Sequence, residues 1–489
     1  MLSNQLKNQH LMWRAGFGPA AGQLEQLQRI SPAALYKALQ KASSKKPEFI
    51  DVADTYLKGL YMGVEEVGRQ ERKKELDPQE RKKIREKNRD DLKSLNLNWM
   101  NEMVQSEAQL REKMAFFWHG HFASRNINIF FQQQLLDIIR QNALGNFRDL
   151  LHEVSQSAAI LNFLNAQQNR KDHPNENFAR EVMELFTLGR GNYTEHDVKE
   201  AARAFTGWSA NVKGDYIFRK NQHDAGTKTV LGKTGNLTGE EVLDILLEQK
   251  QTARFITQKV YRFFVNESAD KNHLDWLSDR FYTSNYNISQ LMEDIFTSSW
   301  FYDEKNVGVR IKSPIELITG IRRMLPMELA NEEALLLMQR VLGQILFYPP
   351  NVAGWPGGKT WIDSSTLMVR LRLPQLINDQ DDFNIRPKTD DDQMMGRTDS
   401  NEPNTDKPKK GYGKIGKPID AAIEWNTYLK NFESVPRENL LNALGSALLQ
   451  TKMQVPANLL AGYIDSTSRE SYLKTATIQL MSIPEYQLC

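Results

Sequence analysis

The sequence predicts a mainly α-helical protein: a multi-helix globular bundle with a small β-hairpin near residues 215–231 and a disordered insertion near 378–418. Three observations carry that expectation. Apolar residues recur at helical spacing along most of the chain, as in Leu24, Leu27 and Ile30 and then Leu35 and Leu39. Strand-like patterning is confined to DYIFR and TKTVLG, which flank HDAG between Asp215 and Leu231. With 40% hydrophobic and 25% charged residues, the 489-residue chain has ordinary globular composition.

The elements follow in order. Residues 19–63 carry the first helical periodicity. From Arg69 to Lys93 there are eleven Lys/Arg and seven Asp/Glu, with only Leu76, Ile84 and Leu92 apolar, so this stretch reads as a solvated helical segment. Helical pattern resumes from Asn98 to Phe117 and from Phe131 to Leu164. A helix is expected from Asn175 to Leu188, closed by Gly189, and another from Thr194 to Phe205, closed by Gly207. Thr194 and Asp197 have capping-box spacing at its start. Further helices are expected over 239–264, 274–281, 288–296, 314–324 and 332–344. A Gly/Pro/Trp-rich loop spans Phe347 to Trp361. Residues 378–418 are too polar to offset the entropy of ordering. The expected organisation is a main helical domain over 1–377, the insertion, and C-terminal helices over 419–489 that pack on the main domain.

Charge and cysteine content narrow the functional classes. Sixty-three basic against sixty-one acidic residues leave a net charge of +2, which gives no electrostatic reason to propose nucleic acid or an anionic membrane as partner. The one cysteine, Cys489, allows neither an intrachain disulfide nor a thiolate zinc site. The N-terminal stretch lacks a secretory pattern, and no run approaches the ~20 apolar residues of a membrane span, so the chain reads as cytoplasmic. GYGKIG at Gly411–Gly416 has the letters of a dinucleotide fingerprint without its strand or helix. The two GKT triplets lack the phosphate-loop glycine, with Thr227 and Ala353 in its place.

The segment HPNENFAREVMELFTLGRGNYTEHDVKEAARAFTGW is the richest in chemistry. On a helix, Asn177, Glu181 and Glu184 fall within about 60° of one another. Phe178, Ala179, Val182, Met183, Leu185 and Phe186 occupy most of the remaining circumference, so the stripe is expected to face protein or a lined cavity. Two glutamates one turn apart require compensation, and three forms are open. One is an ion-pair ladder of Glu176, Arg180 and Glu184, with Arg203 reaching the same carboxylates. The second is a metal held by His119, His121, Glu181, Glu184 and His223, a mixed nitrogen/oxygen set suited to zinc, iron or manganese. The third is a proton-transfer pair with one raised carboxyl pKa. In WHGHF, His119 and His121 share a face if extended but diverge by about 160° if helical. Asp224, beside His223 at the expected hairpin turn, would orient an imidazole.

In the loop, Trp355, Trp361 and Asn351 form a candidate ligand surface. Exposed indoles stack on sugar rings, whereas packed ones would plug the loop onto the core.

Six pieces in order, HLMWRAGFGP, FWHGHFAS, NENFAREVMELFTLGRGNYTEHDVKEAARAFTGW, HDAGTKTVLGKTGN, KSP and LFYPPNVAGWPGGKTWID, make the chain similar to bacterial domain-of-unknown-function family 1800. The charged segment and the insertion are outside the pattern. The resemblance implies a large helical bacterial protein, often encoded beside a member of the sulfatase-like family 1501, a candidate partner. It also implies frequent export, which makes periplasmic the alternative compartment. It supplies no catalytic residues. The functional expectations are a hydrolase-type enzyme using Asn177, Glu181, Glu184, His121 and Asp224, with metal help if a metal is held; a non-catalytic scaffold for the family 1501 protein; or a carbohydrate-binding protein.

Overall fold

The computed structural model describes residues 2–62, 77–380 and 419–489. The described chain is mainly helical, with three two-stranded antiparallel ribbons. No helix among the described residues is long and apolar enough to cross a membrane. The insertion read over 378–418 lies outside the described residues except for 378–380, as does GYGKIG.

Local chemistry sets the helix boundaries. Asp77 accepts the Gln79 N–H and Pro78 occupies the first turn of a 28-residue helix, Pro78–Gln105. The described part of the charged segment is the exposed first half of this helix. From Asn88 onward a buried stripe appears, including Leu92, Leu95, Trp99 and Met103. The helix expected over 98–117 breaks in two. The Ser106 hydroxyl accepts the Ala108 N–H at 3.1 Å, and Gln109 Nε2 bonds to the carbonyls of Met103 and Ser106 at 3.0 and 2.8 Å. The chain then re-enters a helix at Gln109–His121, buried on nearly all sides.

Residues 215–231 do not form one hairpin. Trp208–Ala210 pairs with Tyr216–Phe218, and Lys228–Val230 pairs with Lys233–Gly235. Each strand finds a nearer partner because its own turn is well made. Asn211 Oδ1 accepts the N–H groups of Lys213 and Asp215 in the first, and Leu231 and Gly232 take positive φ in the second. His223 and Asp224 therefore lie on the link between two hairpins. A third ribbon joins Met327–Leu329 to Ala421–Ile423.

One continuous apolar core runs from Leu11 to Tyr486 and includes residues of every described segment. The Asn4–Arg14 helix is buried from Asn8 onward. Its Gln9 Nε2 donates to the carbonyls of Ser446 and Ala447 at 2.9 and 3.2 Å.

Candidate functional site

The expected helix over 175–188 is an α-helix only at Asn177–Glu181. It widens into a π-helix over Val182–Thr187, where the Leu188 N–H reaches back five residues to Met183 O at 2.9 Å. The Thr187 hydroxyl donates to Val182 O at 2.7 Å and supports the wider turn. Phe178, Ala179, Val182, Met183 and Phe186 are buried, whereas Glu181, Glu184 and Leu185 are half-buried and Asn177 is exposed. The polar stripe thus lies at the protein's edge, not in an enclosed cavity. Burial of this segment is one-sided, a correction to the expectation drawn from its apolar circumference.

The ion-pair ladder is only partly as expected. Arg180 bonds to Glu176 at 3.0 Å and to Glu195 at 2.7 Å across to the Glu195–Ala204 helix, and not to Glu184. Arg203 is taken by Asp224 at 2.7 Å and Glu200 at 2.9 Å. Asp224 is therefore committed to an ion pair. Asn177 donates to Leu164 O at 2.9 Å, fixing the chain rather than joining the acids. What remains is a carboxyl pair. Glu184 accepts the Tyr193 hydroxyl at 2.7 Å. Glu181 has no hydrogen-bond partner among the described residues. Burial, and then the neighbouring Glu184, hold its carboxyl above the usual range, against the pull of Arg180.

Beside this pair, the carbonyls at the end of the widened turn are satisfied from two other helices. Lys259, on the Lys250–Phe264 helix, donates to Leu185 O at 3.1 Å and to His121 Nδ1 at 3.2 Å. His121 Nε2 lies 3.3 Å from Phe186 O. These contacts set His121 as the neutral tautomer with the proton on Nε2. Burial and then Lys259 hold its pKa well below the ordinary imidazole value, while the bond to Phe186 opposes the shift. Burial lowers the Lys259 amine to about 8. Lys259 was missed from sequence, where only its position one turn before Phe263 on an amphipathic helix marked it.

The expected metal set does not assemble. His119 and His121 occupy the last turn of one helix and diverge, as the helical alternative required. His119 Nε2 accepts the Phe347 N–H at 3.2 Å, and its ring lies 5.1 Å from that of Trp99 and 5.6 Å from that of Trp355. Burial lowers it to about 3. His223 Nδ1 faces Thr206 O at 2.9 Å. Among the described residues, no three of His, Cys, Asp or Glu stand where they share a metal ion.

The aromatic loop packs onto this same helix end. Gly354, at φ +79°, brings its Cα so close to Gly120 that an added Cβ would lie 2.3 Å from Gly120 O. Trp361 is buried and Trp355 half-buried over His119, the packed alternative of the two, so neither is the exposed stacking indole that the ligand-surface reading of Trp355, Trp361 and Asn351 needs. Asn351 is exposed and serves the turn, its Oδ1 accepting the Ala353 N–H at 2.9 Å.

A second polar region was not read from the sequence. Lys113, Arg310 and Glu316 meet in the interior, where Glu316 Oε1 accepts from both cations and Oε2 accepts the Ser313 N–H at 2.8 Å. Around them lie Arg14, Lys312 and Arg370, each fully buried. Burial opposes ionisation of Glu316, but Arg310 and Lys113 prevail and hold its pKa below the usual range. Burial lowers Lys113 to about 8 and Lys312 to about 7. The available signal was charge on otherwise buried segments: Arg14 in HLMWRAGFGP and Lys312 in KSP.

Fold and site together define a large helical protein with an edge-lying acid pair and an ionic interior. The chain belongs to the family described as Protein of unknown function (DUF1800), whose model matches residues 10–488. No curated protein and no solved structure matches it.

Proposed function

We propose that the protein is an enzyme of hydrolase type in which Glu181 transfers a proton, with Glu184 and Tyr193 as its oriented companions. The observation that carries this reading is the contrast within the acid pair. One carboxylate is fixed by a phenol at 2.7 Å, and the other is unbonded, half-buried and pushed toward its protonated form. A pair of acids whose environments differ in this way is suited to divide acid and base roles. Lys259 and His121 position the pair by closing the carbonyl end of the widened turn. The reading requires no metal.

The test is turnover of chromogenic glycosides, esters and phosphate esters by the purified full chain, with Glu181→Gln and Tyr193→Phe alongside. Glu181→Gln should lower kcat/KM by about 10²–10⁴-fold with unchanged circular dichroism. In the wild type, a rate that depends on Glu181 as acid should fall as pH rises through its raised pKa. A substrate turned over equally by Glu181→Gln and wild type would sink the assignment.

A further inference from the structure

Besides the acid pair, the molecule encloses a set of cations that the anions among the described residues do not balance. Arg14, Lys113, Arg310, Lys312 and Arg370 are each at most 7% exposed. The negative charges that act on Arg14 are those at Cys489, Glu316 and Glu267, and the last of these is exposed at the surface. Among the described residues, five buried basic side chains thus meet two buried anions, with Glu267 acting from the surface. Glu316 already takes Lys113 and Arg310 on one oxygen and a backbone N–H on the other.

The hydrogen bonds show the same one-sidedness. Arg14 uses Nη2 for the carbonyls of Asn306 and Cys489, at 3.1 and 2.8 Å, and leaves Nε and Nη1 with no partner among the described residues. Arg370 bonds to Lys312 O at 3.0 Å and Gln487 Oε1 at 3.3 Å, leaving its Nε unbonded. Arg310 Nε and Gln487 Nε2 are likewise buried and unpartnered. Lys312 bonds to Tyr486 O at 2.5 Å and lies 3.8 Å from the ring centroids of both Trp13 and Tyr486. Five buried nitrogen donors from four residues therefore lack an acceptor among the described residues. Buried polar groups are nearly always bonded, and buried charge is nearly always paired.

A second ionic cluster in the same protein shows the balanced case. Arg140 bonds through all three nitrogens to Glu112, Glu102 and Glu48 O, and Arg111 shares Glu112. None of the nitrogens of these two arginines is left over. Arg322 and Arg340 also keep unpartnered nitrogens elsewhere, but Arg14, Arg310 and Arg370 do so around one carboxylate, Glu316, which acts on all three.

We propose that the unpartnered donors of Arg14, Arg310 and Arg370, with Lys312 beside them, bind a small inorganic anion. Planar guanidinium groups with free N–H bonds suit an oxyanion or a halide equally, and both supply the acceptor and the negative charge that the region lacks.

The test is thermal unfolding of the purified full chain, exchanged into a buffer of bulky organic anions. Chloride, bromide or phosphate is titrated at constant ionic strength. The expected result is a saturable Tm rise of about 2–3 °C at a hundredfold excess over Kd. Lys312→Met, whose side chain still fits between two aromatic rings, should flatten that rise, as should Arg370→Gln. The exposed-site control Lys359→Met should leave it unchanged. Crystals soaked in bromide should give an anomalous peak within hydrogen-bonding reach of Arg14. Equal responses in wild type, Lys312→Met and Arg370→Gln, or an identical rise with every salt, would overturn the proposal. If neither variant folds, the bromide map decides, and a map with water alone at the site is equally fatal.

Discussion

Three buried or half-buried side chains show how a single atom's partner fixes a role. Lys259 is held by a carbonyl and a neutral imidazole, and burial brings its amine to about 8 from an ordinary 10.5. Between those values the unfolded chain keeps the proton and the folded chain has lost it. Stability therefore rises with pH across that window. Urea unfolding at pH 7.5 and pH 10 should show an increase that is larger in wild type than in Lys259→Met by on the order of 1–3 kcal/mol, the remainder coming from Lys113 and Lys312. His119 acts differently: its Nε2 is the acceptor for the Phe347 N–H. His119→Ala should cost about 1–3 kcal/mol and expose the 347–361 loop to proteolysis. Protection of that loop equal to wild type would contradict the assigned role. Glu316 is the third. Glu316→Gln leaves Lys113 and Arg310 without their carboxylate and should cost about 3–5 kcal/mol in denaturant unfolding.

At the scale of elements, the loop and the Gln109–His121 helix meet through two glycines with opposite demands. Gly354 has positive φ and touches Gly120 O, so Gly354→Ala should destabilise by more than about 2 kcal/mol. Gly120 is helical, and a Cβ added there would meet nothing within 4 Å, so Gly120→Ala should be neutral or stabilising by up to about 1 kcal/mol. Thermal unfolding of the pair checks both signs. The helical character of the chain was legible from periodicity, and the Thr194–Asp197 capping box from spacing alone. The acids at 181 and 184 were legible as a pair. Their setting was not, because a uniform 100° step places residues on a regular helix and the turn at Val182–Thr187 is not regular. The hairpin partners were missed for a related reason. DYIFR and TKTVLG each look like strands, but Asn211 and Leu231–Gly232 close turns that pair them with nearer neighbours. The ionic interior was invisible because its members come from positions 14, 113, 310–316 and 370, and no local pattern links them.

For the whole molecule, the same dispersal is the main consequence. Backbone pairs join Arg310 to Cys489, and Gln9 reaches the carbonyls of Ser446 and Ala447. The ribbon of Met327–Leu329 with Ala421–Ile423 ties a further pair of distant segments. We propose that residues 419–489 and the main helical part unfold together. Calorimetry should then give one transition, and two resolved peaks would separate them.

The widened turn at Val182–Thr187 is also the point in this helix most open to losing a residue. It holds one residue more than an ordinary helix needs, so removing a single codon there offers the backbone a tighter, more regular path. Such a deletion would swing Leu185 and Phe186 away from Lys259 and His121 and rotate Glu184 relative to Tyr193. Among random one-residue deletions, those in this turn should leave expression intact while abolishing whatever the acid pair does.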